Sequence, residues 1–391
     1  MLLKENLIRF IKLHLQLQSL LGTRPFKFSA TDKLIPCHKR EYSWVLIKGF
    51  LLTLYNITEW MQVIHSVGHA VLANVSESLL FASTKAAYCF TKYTLITRQR
   101  SLIELFNLLL NFEKANFAGL HILKSNSKTL VQVTQLLAII FATYSTLCYL
   151  VMLWIFPCEL VPIAYFTMPE CLNPSYHGDW SISSRFQLVM ICIFVMWQCI
   201  DFAGDLTLFV VHLTLVQSYC FYRYVQLVDQ LIVEKPKQAL KHLPLYRQIQ
   251  ILNRYYNVIR NNGIIIAHEY LLIIAFIISV FMLISLGSNG TLPELILFGL
   301  CGFDGAIVLL VCNTLMGQIY SGSKQFRTKI KEHILSNQVL NKQRKWTQRY
   351  LKSCAVLKCN IGDVNFIEEL TPLVMIDFCI NQIVSLLLLQ K

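Results

Sequence analysis

Seven runs of this sequence are long and apolar enough to cross a lipid bilayer, and that constrains the fold more than any other feature. Spanning ~30 Å of hydrocarbon takes about 20 mostly apolar residues in a helix. The runs cover residues 44–65, 70–96, 129–156, 186–221, 263–286, 292–320 and 370–390. The fourth and sixth are the most continuous, whereas Lys48, Asn56 and Glu59 interrupt the first. Composition agrees: 55% of the 391 residues are hydrophobic and only 15% charged, against about 25% charged in a soluble domain. A chain with 12% aromatic residues also carries too much apolar surface to remain solvated and disordered. The expected fold is therefore an all-α, multi-pass membrane protein of seven transmembrane helices.

The orientation follows from the connecting segments, because Lys and Arg accumulate on the cytoplasmic side. Residues 1–43 hold eight of them, the second-to-third connection five, the fourth-to-fifth seven and the sixth-to-seventh ten, while the opposite side has only Arg185 and Lys391. This 30-to-2 asymmetry predicts an inverted topology, with the N-terminus cytoplasmic and the C-terminus extracellular. The glycosylation sequons at Asn74 and Asn289 fall at the predicted external ends, the only face where they are used. Residues 1–22, with Lys4, Arg9 and Lys12 at helical intervals and no compact apolar core, read as an amphipathic interfacial helix on the membrane surface rather than a signal peptide. The net charge of +13 lies in membrane-flanking loops, so anionic headgroups of the lipid bilayer explain it and nucleic acid is not an expected partner.

Most of the 13 cysteines lie inside the apolar runs or in the basic loops, where they act as small apolar residues. Cys158 and Cys171 alone occupy the long external loop, 157–185, and are the candidate disulfide pair in an oxidising compartment. No phosphate-loop, zinc-protease or serine-hydrolase signature is present, and no cysteine pair stands in metal spacing with histidines. The chain is therefore expected to be no enzyme and to carry no cofactor or metal. Gly299, Gly302 and Gly305 lie inside the sixth run and read as close helix packing.

Ionisable residues inside a span cost ~2.5–3.5 kcal/mol each and default to functional candidates. Here they are Lys85, Asp201, Asp205, Glu269, Asp304 and Asp377. Asp201 and Asp205 share one helical face, and with Lys85 they suit equally a buried charge pair that holds the bundle and a role in transport. The last run differs in kind. At 100° per residue, Asp377, Asn381, Val384 and Leu388 fall within about 60° of arc, with Leu387 about 60° further round. Such a stripe, acidic at one end and aliphatic at the other, suits a cation pore with a dewetting constriction. It suits equally a packing helix whose Asp377 meets a neighbouring Lys.

The pattern of seven spans, cytoplasmic N-terminus, long basic sixth-to-seventh loop and closing helix resembles the insect chemoreceptor superfamily of odorant and gustatory receptors. The similarity is concentrated from Cys312 onward, in CNTLMGQIYSGSKQF and RYLKSCAVLKCNIGDVNFIEELTPLV. In the gustatory signature a Thr-Tyr pair precedes five hydrophobic residues, Gln and Phe; here Ile383 and Val384 replace the pair, Gln390 matches and Lys391 replaces Phe. The resemblance implies a tetrameric ligand-gated cation channel, homomeric or assembled with an odorant co-receptor, in the plasma membrane of sensory neurons. It divides the chain into a cytoplasmic segment (1–43), a six-helix ligand-binding bundle (44–320), a cytoplasmic region of subunit contact (321–368) and a pore helix (369–391). Its ligand pocket, for a small organic molecule between spans two and six, would draw here on Phe81, Thr84, Tyr144, Cys148, Trp197, Phe281 and Phe298, each of which also suits core packing. Its gate positions would fall at or beside Leu387 and the terminal Lys391, and Gln390 joins the stripe residues as a pore candidate. Two other classes compete. A G-protein-coupled receptor would need an acidic-Arg-Tyr and an Asn-Pro-x-x-Tyr motif that the spans lack, and a small-solute transporter would show an internal repeat.

Overall fold

The computed structural model describes residues 8–20, 25–67, 72–117, 151, 182–208, 214, 216–234, 239–261, 263–287, 291–336, 344–362 and 365–390. Helix α1 (Ile8–Leu20) places Ile8, Ile11 and Leu15 on one buried face. A hairpin follows, β1 (Phe26–Phe28) against β2 (Leu34–Pro36), with Asp32 at φ 63° in its turn. Helices α2 (Lys39–Val67) and α3 (Leu72–Thr97) have 29 and 26 residues, or about 44 and 39 Å at 1.5 Å per residue. Next come α4 (Gln99–Asn116), α5 (Ile182–Leu206), α6 (Val216–Glu234), α7 (Ala239–Arg260) and α8 (Gly263–Leu286). Helix α9 (Leu292–Ile307) passes through a π-helical turn, Val308–Cys312, into α10 (Asn313–Ser336). Helix α11 (Arg344–Ser353), a second hairpin of β3 (Asn360–Ile361) and β4 (Asn365–Phe366), and α12 (Thr371–Leu389) complete the order.

The molecule is an all-α membrane protein. Among the described residues four stretches are long and apolar enough to cross a bilayer: Arg185–Phe202, Glu269–Leu286, Glu294–Glu332 and Thr371–Leu389. Helices α2 and α3 have the length but carry charges: Glu59 of α2 pairs with Lys85 of α3, and Lys92 of α3 pairs with Asp201 and Asp205 of α5. The bundle's outer surface is apolar: Phe50, Ile57 and Ile64 on α2, Phe186, Met190 and Ile193 on α5, and Leu373, Val374 and Ile380 on α12 are all exposed. Bands of that kind are intolerable in water and normal against lipid.

Among the described residues the buried apolar side chains gather in two packing centres. In the first, α8 packs on α3, α9 and α12 through Leu80, Ile278, Phe281, Met282 and Phe298, and through Ile277, Leu309, Cys379 and Ile383. Small residues permit the close approach. A Cβ on Gly305 would lie 2.9 Å from the Cβ of Phe276, and one on Gly302 3.6 Å from Val280, whereas one on Gly299 would meet nothing within 4 Å. The packing expected of this glycine stripe therefore holds for two of its three members.

The second centre is larger and joins α1, α4, α6, α7, α10 and α11 through residues such as Phe106, Tyr219, Tyr224, Tyr246 and Phe326. The segment between α11 and β3 threads between α7 and α10 because side chains from both helices satisfy its backbone. Tyr246 Oη donates to Ala355 O (2.9 Å), Ser323 Oγ accepts from Leu357 N (3.0 Å), and Asn257 donates to Lys358 O (2.6 Å) and accepts from Asn360 N (3.0 Å). Cys354 and Cys359 are buried here, and burial pushes the Cys359 thiol up to about 11, so it is a neutral packing group.

Two expectations need correction. The sixth run does not stop at Tyr320, because α10 continues to Ser336 with Phe326 and Ile330 buried, four residues apart on one face. Finally, the apolar face of α1 is not turned to the membrane surface but packs into the protein core.

Candidate functional site

A cavity opens between α2, α3, α5 and α9. Residues four apart on α3 (Leu80, Thr84 and Tyr88, flanked by Phe81 and Lys85) form one wall. Val195, Gln198, Cys199 and Phe202 of α5, spaced three, four and seven along the helix, form the facing wall. Leu52 of α2 and Leu297 and Cys301 of α9 close the remaining sides. The cavity between them is about 100 Å³ and its lining is predominantly apolar.

The polar groups of the cavity wall lead directly into a buried ionic network. Tyr88 Oη donates to Asp201 Oδ2 at 2.5 Å. Lys92 Nζ lies 3.1 Å from that same oxygen and 2.7 Å from Asp205 Oδ2. Gln18 Nε2 of α1 donates to Asp205 Oδ1 at 3.0 Å, and His14 Nε2, necessarily the protonated nitrogen, donates to Gly204 O at 2.8 Å. Two turns along α3, Lys85 pairs with Glu59 of α2 and stands 4.0 Å above the Tyr55 ring. The pairing of Lys85 with Asp201 and Asp205 is thus wrong in its cation. Lys92, seven residues on and on the same face, is level with the two carboxylates, while Lys85 is level with Glu59. Burial lowers the His14 pKa from the ordinary imidazole value, and its hydrogen bond to the Gly204 carbonyl offsets this only in part.

Of the residues expected at a ligand pocket, Phe81 and Thr84 line the cavity. Phe281 and Phe298 are fully buried in the core between α8, α9 and α3, behind the wall. Trp197 faces away from it, with Lys48 Nζ 4.5 Å from its ring. Tyr144 and Cys148 lie outside the described residues, as do Cys158, Cys171 and Asn289; Asn74 falls in the first turn of α3. The wall residues Tyr88, Gln198, Cys199 and Phe202 were not anticipated, although the i, i+3, i+4, i+7 spacing on α5 was available to find them.

Helix α12 packs by one face only. Cys379 and Ile383 are buried and Leu387 is partly buried against α8, whereas Asp377, Asn381, Val384 and Leu388 are exposed along the opposite side. No described Lys or Arg pairs with Asp377, whose carboxylate accepts from Asn381 Nδ2 at 3.4 Å. Beyond this stripe, Gln390 Oε1 accepts from Ser285 Oγ of α8 at 2.8 Å. Val384, Leu387, Leu388 and Gln390 border a second opening beside Ile284 and Ser285.

No protein-family model and no curated protein sequence matches the chain. Its architecture does have solved counterparts. The insect olfactory receptor OR5 from Machilis hrabei superposes with a TM-score of 0.67 at 12% identity, over 97% of each chain. This is the insect olfactory receptor fold. The structure of that receptor in complex with eugenol gives a TM-score of 0.60 at 13% identity, over 98% of this chain and 97% of that one.

Proposed function

We propose that this chain is a subunit of a chemosensory receptor, a tetrameric ligand-gated cation channel of the insect chemoreceptor superfamily, opened by a small uncharged organic molecule bound in the cavity between α3, α5 and α9. The single observation that carries this is the apolar cavity in a chain that shares its fold, end to end, with an olfactory receptor; that receptor has been solved with eugenol bound. The exposed face of α12, with its acid and amide below an aliphatic band, supports a pore wall shared by four subunits. The proposal places the N-terminus in the cytoplasm and the C-terminus outside, as the loop charges imply, in the plasma membrane of sensory neurons. Ligand entry would displace α12 through its contact with α8.

Expression with and without an odorant co-receptor, with currents recorded against a broad ligand panel, tests the proposal. Ligand-evoked cation currents are expected. Silence in both settings together with a monomeric state in detergent, or an epitope after Lys391 reachable only in permeabilised cells, overturns it.

A further inference from the structure

The polar groups that line the cavity are unequal in what they have left to offer. Thr84 Oγ1 already donates to Leu80 O at 2.8 Å, Tyr88 Oη donates to Asp201, and Lys85 is paired with Glu59. Gln198 differs. It is 7% exposed, it lines the cavity, and its Oε1 has no hydrogen-bond partner. A buried carbonyl oxygen in that state is penalised until a donor reaches it, and a site of that kind discriminates sharply against a molecule that cannot supply one. The surrounding surface of Leu80, Phe81, Val195 and Phe202 is apolar, and the ammonium of Lys85 in the same wall is already paired with Glu59.

We infer that Gln198 makes the cavity selective for compact apolar molecules carrying a single hydrogen-bond donor, an uncharged phenol or alcohol, whose hydroxyl is accepted at Gln198 Oε1. This rests on the proposal that the cavity is the ligand site. It adds a chemical class and the residue that selects it. The rest of the ligand would be held by burial against the two helix faces, which is tolerant of shape, so the hydroxyl contact would set which molecules bind rather than how tightly apolar matter is held in general.

The test uses the full chain in lipid nanodiscs and two probes of nearly equal shape, 4-ethylphenol and 4-ethyltoluene, with binding read by thermal stabilisation so that channel activity is not required. Replacing Gln198 by Leu is expected to move the ratio of the two affinities roughly tenfold toward the hydrocarbon. Retained hydrocarbon binding reports that the variant is folded; where it is not, Gln198→Met makes the same measurement. If both probes bind and the ratio does not move, the role of Gln198 is overturned while the cavity remains the ligand site. If the wild type binds neither probe, the ligand-site proposal fails and this inference fails with it.

Discussion

Lys92 Nζ stands 2.7 Å from Asp205 Oδ2, so a helix at the cavity wall is tied to a partner 113 residues away by a fully buried ion pair. The same ammonium reaches Asp201, and Lys92, Asp201 and Asp205 are each almost wholly excluded from solvent. Removing one member of such a cluster is costly because the remaining charges have been desolvated and lose their compensation. Lys92→Met is therefore expected to destabilise the chain by about 3–5 kcal/mol, read as a fall in thermal stability in detergent. Combining it with Asp201→Asn and Asp205→Asn is expected to restore most of the loss. A single Lys92→Met variant as stable as the wild type would mean that the network carries no structural weight.

The glycines offer a contrast within one fold. A Cβ on Gly317 would lie 2.6 Å from the carbonyl oxygen of Glu368, backbone against backbone where α10 meets the approach to α12. Gly299 has open space at the same construction. Gly317→Ala is expected to cost about 1–3 kcal/mol, the usual range for overpacking, while Gly299→Ala is expected to be neutral or slightly stabilising through helix propensity. Gly305→Ala, facing the Cβ of Phe276 at 2.9 Å, should fall with Gly317. Thermal melts of the three variants side by side decide the ranking.

Much of this was readable in the sequence, and the failures share a cause. Hydropathy identified the bundle because a membrane span has one length, and it singled out Lys85, Asp201 and Asp205 because charge inside a span demands a partner, though not their partners Glu59 and Lys92. It did not identify which lysine, since Lys85 and Lys92 are two turns apart on one face of α3 and only the vertical offset of α5 distinguishes them. Trp197 has the depth and aromatic character expected of a pocket residue, yet its neighbour Gln198, 100° round the helix, is the residue on the cavity. The continuation of α10 past Tyr320 was hidden because the buried pair Phe326 and Ile330 is embedded in a run of lysines that reads as loop. Each miss concerns the rotation or offset of one helix against another, which no single helix encodes.

His14 gives α1 a pH dependence of definite sign. Its pKa lies below the free imidazole value of 6.5 because docking buries it. Above about pH 6.5 the ring is neutral whether α1 is docked or not, and docking is at full strength. As pH falls below that value the undocked helix takes up the proton first, so docking stability is lost through the window from 6.5 down to the lowered value. Hydrogen-exchange protection across residues 8–20, taken relative to the intrinsic rate at each pH, is expected to fall between pH 7.5 and pH 5, and His14→Gln, which keeps a donor for Gly204 O without the titration, is expected to flatten the response. Equal protection at both pH values in the wild type would remove His14 as the titrating group.

The outward face of α12 makes the sharpest claim on function. An exposed Asp377 beside Asn381 is out of place against lipid, where an acid costs ~2.5–3.5 kcal/mol, so that face needs water or another subunit. The proposed pore supplies both: four copies would set a ring of carboxylates below a ring formed by Val384 and Leu388. Asp377→Asn is then expected to lower cation conductance and weaken selectivity against anions without altering ligand binding. Cysteines placed at Val384 and Leu388 are expected to react with a hydrophilic thiol reagent faster when ligand is present, while the native Cys379, buried on the opposite face, stays protected. Reaction at Cys379 in preference to position 388 would place the helix with its other side toward water, and the stripe would then be a packing surface.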